Sequence, residues 1–112
     1  MHELGITRNI VSIVEEAAKG RRVRRVTLDV GRFAGVVPEA LAFCFDVVAQ
    51  GTLLDGARLD INEIAGRCRC LDCGTEFETA TLYQPCGCGS RHVQRLEGDE
   101  LKIREMELEE AA

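Results

Sequence analysis

Apolar residues recur at three- and four-residue steps in two stretches of this chain and at two-residue steps in three others. Ile6, Ile10, Ile13, Val14 and Ala17 make one stripe, which predicts a helix over 4–19 with Gly20 as its stop. A second helix is predicted over 37–52, with Pro38 suited to a first helical position and Gly51 to the end. Leu41, Cys44, Phe45 and Val48 form its stripe. Their neighbours are mostly apolar too, so this helix is expected to be largely buried, with Cys44 a small core hydrophobe.

The alternating segments read as strands. Val26, Leu28 and Val30 alternate with Thr27 and Asp29 up to Gly31, after a basic run (21–25) read as a solvated edge. Residues 57–64 put Leu59 and Ile61 on one face. Residues 99–110 alternate in two phases, Leu101 with Ile103 and then Met106 with Leu108, which suggests a bulge or bend. The expected fold is α+β, two helices packed on a small three-stranded sheet. The two later strands flank a cysteine-rich stretch, so the domain would comprise 1–64 plus 97–112, with 65–96 inserted as a zinc-ribbon-like knob.

Composition narrows the function classes. With 112 residues, 46% hydrophobic but only 4% aromatic and without tryptophan, the chain must build an aliphatic core. A formal charge of −5 argues against general binding to nucleic acid or an anionic membrane surface. No run approaches the roughly 20 apolar residues of a membrane span, and no charged leader precedes an apolar stretch. A reducing cytoplasm is the expected setting.

Of six cysteines, Cys44 stands alone while Cys68, Cys70, Cys73, Cys86 and Cys88 crowd together in close pairs. Such pairs across a short loop are how chains hold a metal, and zinc prefers four ligands in a tetrahedron. Cys70-Leu-Asp-Cys73-Gly lets a tight turn aim two sulfurs at one ion, with Gly74 allowing close backbone approach. Cys86-Gly-Cys88-Gly is the second knuckle, with one intervening residue where two are usual. Cys70, Cys73, Cys86 and Cys88 are the expected ligands, with Cys68 the spare and His92 near enough to substitute. Residues between the knuckles suffice for a short hairpin. A closed four-thiolate site leaves no position for water and is structural.

The chain opens Met1-His2-Glu3. An α-amino group, an imidazole close behind it and deprotonated backbone amides can present nitrogens in a plane, which favours Ni(II) or Cu(II). A frayed end is the other reading of the same residues.

The segments "MHELGITRNIVSIVEEAA", "VPEALAFCFDVVAQGT", "CxxCG…CxCGS" and "GDELKIREMELE", in this order and covering essentially the whole chain, resemble the HypA/HybF family of nickel metallochaperones. The resemblance implies a carrier that delivers Ni(II) to the maturing large subunit of [NiFe]-hydrogenase, and in some members to urease through its accessory proteins. A HypB-type GTPase would be the partner and would own the GTP hydrolysis. It implies His2 as the side-chain ligand of nickel, joined by the Met1 amine and the amides of His2 and Glu3, and the knuckle cysteines as structural Zn(II) ligands. The family usually carries two Cys-x-x-Cys knuckles. Here Pro85 holds the place of the second knuckle's first cysteine and Cys86 follows it, which keeps Cys68 in play as a replacement ligand. Whether the chain is a monomer or a homodimer stays open.

The competing reading is a zinc-ribbon module for nucleic acid or protein, supported by the basic run 21–25 and by Arg67, Arg69, Arg91 and Arg95 around the knuckles, and opposed by the net charge and by the single aromatic pair of the knob, Phe77 and Tyr83. No Ser/His/Asp set or phosphate-cradling loop supports an enzyme.

Overall fold

The computed structural model describes residues 2–81 and 83–110. Its elements run α1 (His2–Ala18), β1 (Val23–Gly31), α2 (Pro38–Ala49), β2 (Arg58–Ile64), β3 (Gly66–Cys70), β4 (Glu76–Thr79), β5 (Val93–Glu97) and β6 (Leu101–Leu108). They form two three-stranded sheets, of order β2-β1-β6 and β4-β3-β5. The expected sheet is therefore present, and a second one accompanies it. The chain divides into two compact units, Met1–Leu28, Val36–Asn62 and Lys102–Ala112 in one, Asp29–Gly35 and Glu63–Leu101 in the other.

In the first unit α1 and α2 pack against each other. Their core is aliphatic except for Phe45: Ile10, Val11, Val14 and Ala18 from α1, Val23, Val26 and Leu28 from β1, and Leu41, Phe45 and Ala49 from α2. The helix starts at His2, ahead of the expected residue 4, and its buried stripe is rotated from the one read in the sequence. Thr7 and Val11 are inside, while Ile13 and Ala17 face out. Thr7 tolerates burial because its hydroxyl lies 3.0 Å from the Glu3 carbonyl and 2.9 Å from that of Leu4. Lys19 and Gly20 take left-handed φ angles of 52° and 85°, which end the helix.

The second helix begins with Pro38 in the first turn, as read from the sequence. It is not largely buried. Only Leu41, Phe45 and Ala49 are inside, Cys44 is half-buried, and Phe43 and Val47 stand in solvent. A single helical neighbour and one sheet cannot cover a whole helix in a unit this small, so apolar composition overstated the burial.

In the second unit β3 lies between β4 and β5, antiparallel to both. Gly66, Cys68 and Cys70 point inward and Arg67 and Arg69 outward, where both guanidiniums reach Glu76, at 3.0 and 3.1 Å. Among the described residues, the span between the knuckles supplies one strand, β4, rather than a hairpin of its own. Residues 76–79 pair back on β3 instead, Gly66 opposite Thr79 and Cys68 opposite Phe77, which buries more than a free-standing hairpin would. Phe33 is buried in this unit, its N–H donating to the Gly98 carbonyl at 2.7 Å. Among the described residues no helix is long and apolar enough to cross a membrane.

Candidate metal centre

Two short turns build the cysteine cluster. In the first, Gly74 N–H donates to the Cys70 carbonyl at 2.8 Å and Cys73 N–H points at the Cys70 sulfur at 3.4 Å. Gly74 follows at φ 78°, a conformation that costs other residues strain. In the second, Gly89 N–H donates to the Cys86 carbonyl at 2.8 Å, and Gly89 sits at φ 91°. The one-residue spacing of Cys86 and Cys88 is thus accommodated by a tighter turn of the same kind.

The sulfurs of Cys70, Cys73, Cys86 and Cys88 all lie within 4.8 Å of one another. Cys70 approaches Cys88 at 3.7 Å and Cys73 approaches Cys86 at 3.6 Å. Zn–S bonds of about 2.3 Å set tetrahedrally require sulfurs about 3.8 Å apart, whereas a disulfide brings them to about 2.05 Å. These two separations match the edges of a zinc tetrahedron and not a disulfide.

Charge supports the fit. The Thr75 hydroxyl, 3.2 Å from the Cys73 sulfur, and the Thr75 backbone N–H bring that thiol down to about 6. Cys88 receives the Ser90 N–H, which alone would lower it, but the crowding sulfurs of Cys70 and Cys86 push it up to about 11. Four thiols in this volume cannot all ionise together unless a cation sits among them. The donor set suits Zn(II), closed and without a place for water.

Cys68 is outside the cluster. It occupies a core position of β3, between Phe77 and Arg95 on the neighbouring strands. His92 is also outside it, exposed, with Nδ1 3.3 Å from the Asp72 carboxylate. Asp72 also accepts the Ser90 hydroxyl, and Ser90 Oγ accepts the His92 N–H at 3.0 Å. This Asp72–Ser90–His92 clasp ties the two knuckles together. Sequence reading missed it, although Asp72 lies inside one knuckle and Ser90 closes the other.

The other predicted site opens α1. Met1 lies outside the described residues. His2 leads the helix with its side chain 66% exposed, and its Nε2 lies 3.3 Å from the Glu3 carboxylate. Glu3 is turned inward, 12% exposed, and accepts the Val37 N–H at 3.2 Å. Val37 is the residue before α2 and caps that helix without a side-chain bond of its own. Glu3 therefore serves as a tertiary cap on α2. Its carboxyl is held below the ordinary 4.5, first by its own backbone N–H and then by that of Val37.

Residues 1–108 match the family model described as "Hydrogenase/urease nickel incorporation, metallochaperone, hypA". The chain belongs to the HypA family. Curated relatives named "Hydrogenase maturation factor HypA" include those of Trichormus variabilis, 51% identical over 98% of this chain and 97% of that protein, and Rippkaea orientalis, 52% identical with the same coverage. The HypA of Geobacter sulfurreducens is 46% identical over 97% of this chain and all of its own. Among solved structures, the solution structure of the Ni metallochaperone HypA from Helicobacter pylori covers 95% of this chain and 96% of its own at 24% identity, with a TM-score of 0.64, which shows the shared fold. A second HypA solution structure reaches a TM-score of 0.68 at 25% identity.

Proposed function

We propose that this HypA protein carries Ni(II) at the head of α1 and holds a structural Zn(II) in its four-cysteine cluster. The protein is a nickel metallochaperone of hydrogenase maturation, by its membership of the family. The proposed nickel ligands are the Met1 amine, the His2 imidazole and the backbone amides of His2 and Glu3, a planar nitrogen set. The observation that carries this reading is the exposed His2 in the first turn of a helix that starts with it. Helical rungs run from the N–H of residue i to the carbonyl of i−4, so the amides of His2 and Glu3 stand ahead of that ladder. Metallating them breaks no rung. An open, solvent-facing square-planar site suits release to a partner.

Cys70, Cys73, Cys86 and Cys88 are the proposed zinc ligands, and Cys68 is a core residue in this reading. The nickel-binding part is taken as 1–64 plus 97–112 and the zinc-binding part as 65–96. The carrier performs no catalysis of its own. A HypB-type GTPase and the hydrogenase large-subunit precursor are its partners in the cytoplasm, with urease accessory proteins the alternative recipients. Nucleic acid is not among the proposed partners: the net charge is −5, and Arg67, Arg69 and Arg95 beside the knuckles each pair with carboxylates.

Untagged protein that begins at Met1, titrated with Ni(II) by calorimetry, is expected to bind one ion per chain. His2→Ala and a variant with one added N-terminal residue should both lose it. Binding as tight as the parent's in both variants would overturn the assignment.

A further inference from the structure

We infer that the outward face of α2 is a docking surface for an amphipathic helix that carries basic residues along one side of its apolar stripe. Phe43 is 71% exposed and Val47 50% exposed. They lie one turn apart, so their side chains form a continuous ridge of the kind that fits between the side-chain rows of another helix. At about 100° per residue, Ala40 falls on the same line. The exposed residues Glu39 and Asp46 run along one flank of the ridge, while Leu41, Phe45 and Ala49 face the core on the opposite side.

Scattered apolar residues on a surface need no explanation, but an aromatic and a branched side chain stacked on one helix face form a patch. The charges beside it select the occupant. Glu39 and Asp46 are the charged residues of α2, and the helix holds no lysine or arginine. A second copy packed here would bring its own Glu39 and Asp46 against these, in a chain already at −5. An anionic lipid surface would meet the same repulsion. A helix with apolar side chains astride Phe43 and Val47, and lysines or arginines reaching Glu39 and Asp46, satisfies both the ridge and its rim.

The probe is a fluorescein-labelled helical peptide of about 18 leucines and lysines with leucine at i, i+3, i+4 and i+7, set against a counterpart with glutamate for lysine. Anisotropy titrations use the full zinc-loaded chain. The lysine peptide should bind and the glutamate peptide should not. Phe43→Ser and Val47→Ser should each weaken binding about tenfold, and Glu39→Gln with Asp46→Asn should weaken it and flatten its salt dependence. Phe43 and Val47 are exposed, so these variants should keep the parent's circular dichroism and melting curve. Unchanged affinity in Phe43→Ser would mean that bulk charge alone attracts the peptide, and the inference fails. It fails also if both peptides bind alike. A dimer that Phe43→Ser converts to monomer in sedimentation would show instead that a second copy closes this face.

Discussion

A β-carbon added to Gly66 would lie 2.3 Å from Cζ of Phe33. The same atom would stand 2.6 Å from the Thr79 carbonyl oxygen, so moving the ring alone does not clear it. The Gly66–Thr79 pairing of β3 with β4 must open as well. Gly66→Ala is expected to cost about 3 kcal/mol, at the upper end for overpacking. Urea unfolding of the zinc-loaded protein measures it, and Phe33→Leu should restore only part. A loss below about 0.5 kcal/mol, the range of innocuous surface changes, would mean that the close approach is absent in solution.

Zinc content separates the ligands from the core cysteine. Cys70→Ser and Cys88→Ser should reduce bound zinc from one ion per chain to nearly none, with loss of the β3–β5 amide dispersion in NMR spectra. Cys68→Ala should keep the full zinc content and lose about 1–2 kcal/mol of stability from the emptied core position. Loss of zinc in Cys68→Ala would make it a ligand after all.

Glu3 gives a pH signature. Its carboxyl is lowered in the folded chain, so the stability it adds is fully present above the ordinary 4.5 and is lost as pH falls through the lower folded value. Glu3→Gln should therefore be less stable than the parent at pH 7, and the gap between them should close under acid. Acid strips zinc from both chains equally, so the comparison isolates Glu3. A gap that stays constant from neutral pH to about pH 3 would remove the carboxylate cap from the account.

Thr7→Val keeps the shape of a buried side chain and deletes the hydroxyl that serves the Glu3 and Leu4 carbonyls. The expected cost is about 1 kcal/mol, read as a shift in unfolding midpoint with unchanged slope. A midpoint at or above the parent's would show that those two carbonyls are served equally well by water.

Both helices and the strands of the first sheet were legible because long periodic runs declare themselves. Their faces were less so. On α1, Thr7 is inside and Ile13 outside, since a hydroxyl satisfied within its own helix buries at little cost and one rotation of the stripe fits the neighbours better. In Gly66-Arg67-Cys68-Arg69-Cys70 the two-residue alternation of a strand was present, but read as ligand spacing it hid β3. That strand explains Cys68: two residues before Cys70 and on the same inward face, it packs into the core one step away from the sulfur cluster. The four-sulfur set was readable from spacing. The clasp of Asp72, Ser90 and His92 was not, because its members meet only after both knuckles have formed.

Close sulfur pairs run from one knuckle to the other, Cys70 to Cys88 at 3.7 Å and Cys73 to Cys86 at 3.6 Å. An oxidant that reached the cluster after its ion had gone would thus find partners across the gap. The resulting bridges would rivet the two turns together and leave no thiolate to recapture a cation. A cluster closed in that way would need reductant before it could take up a cation again.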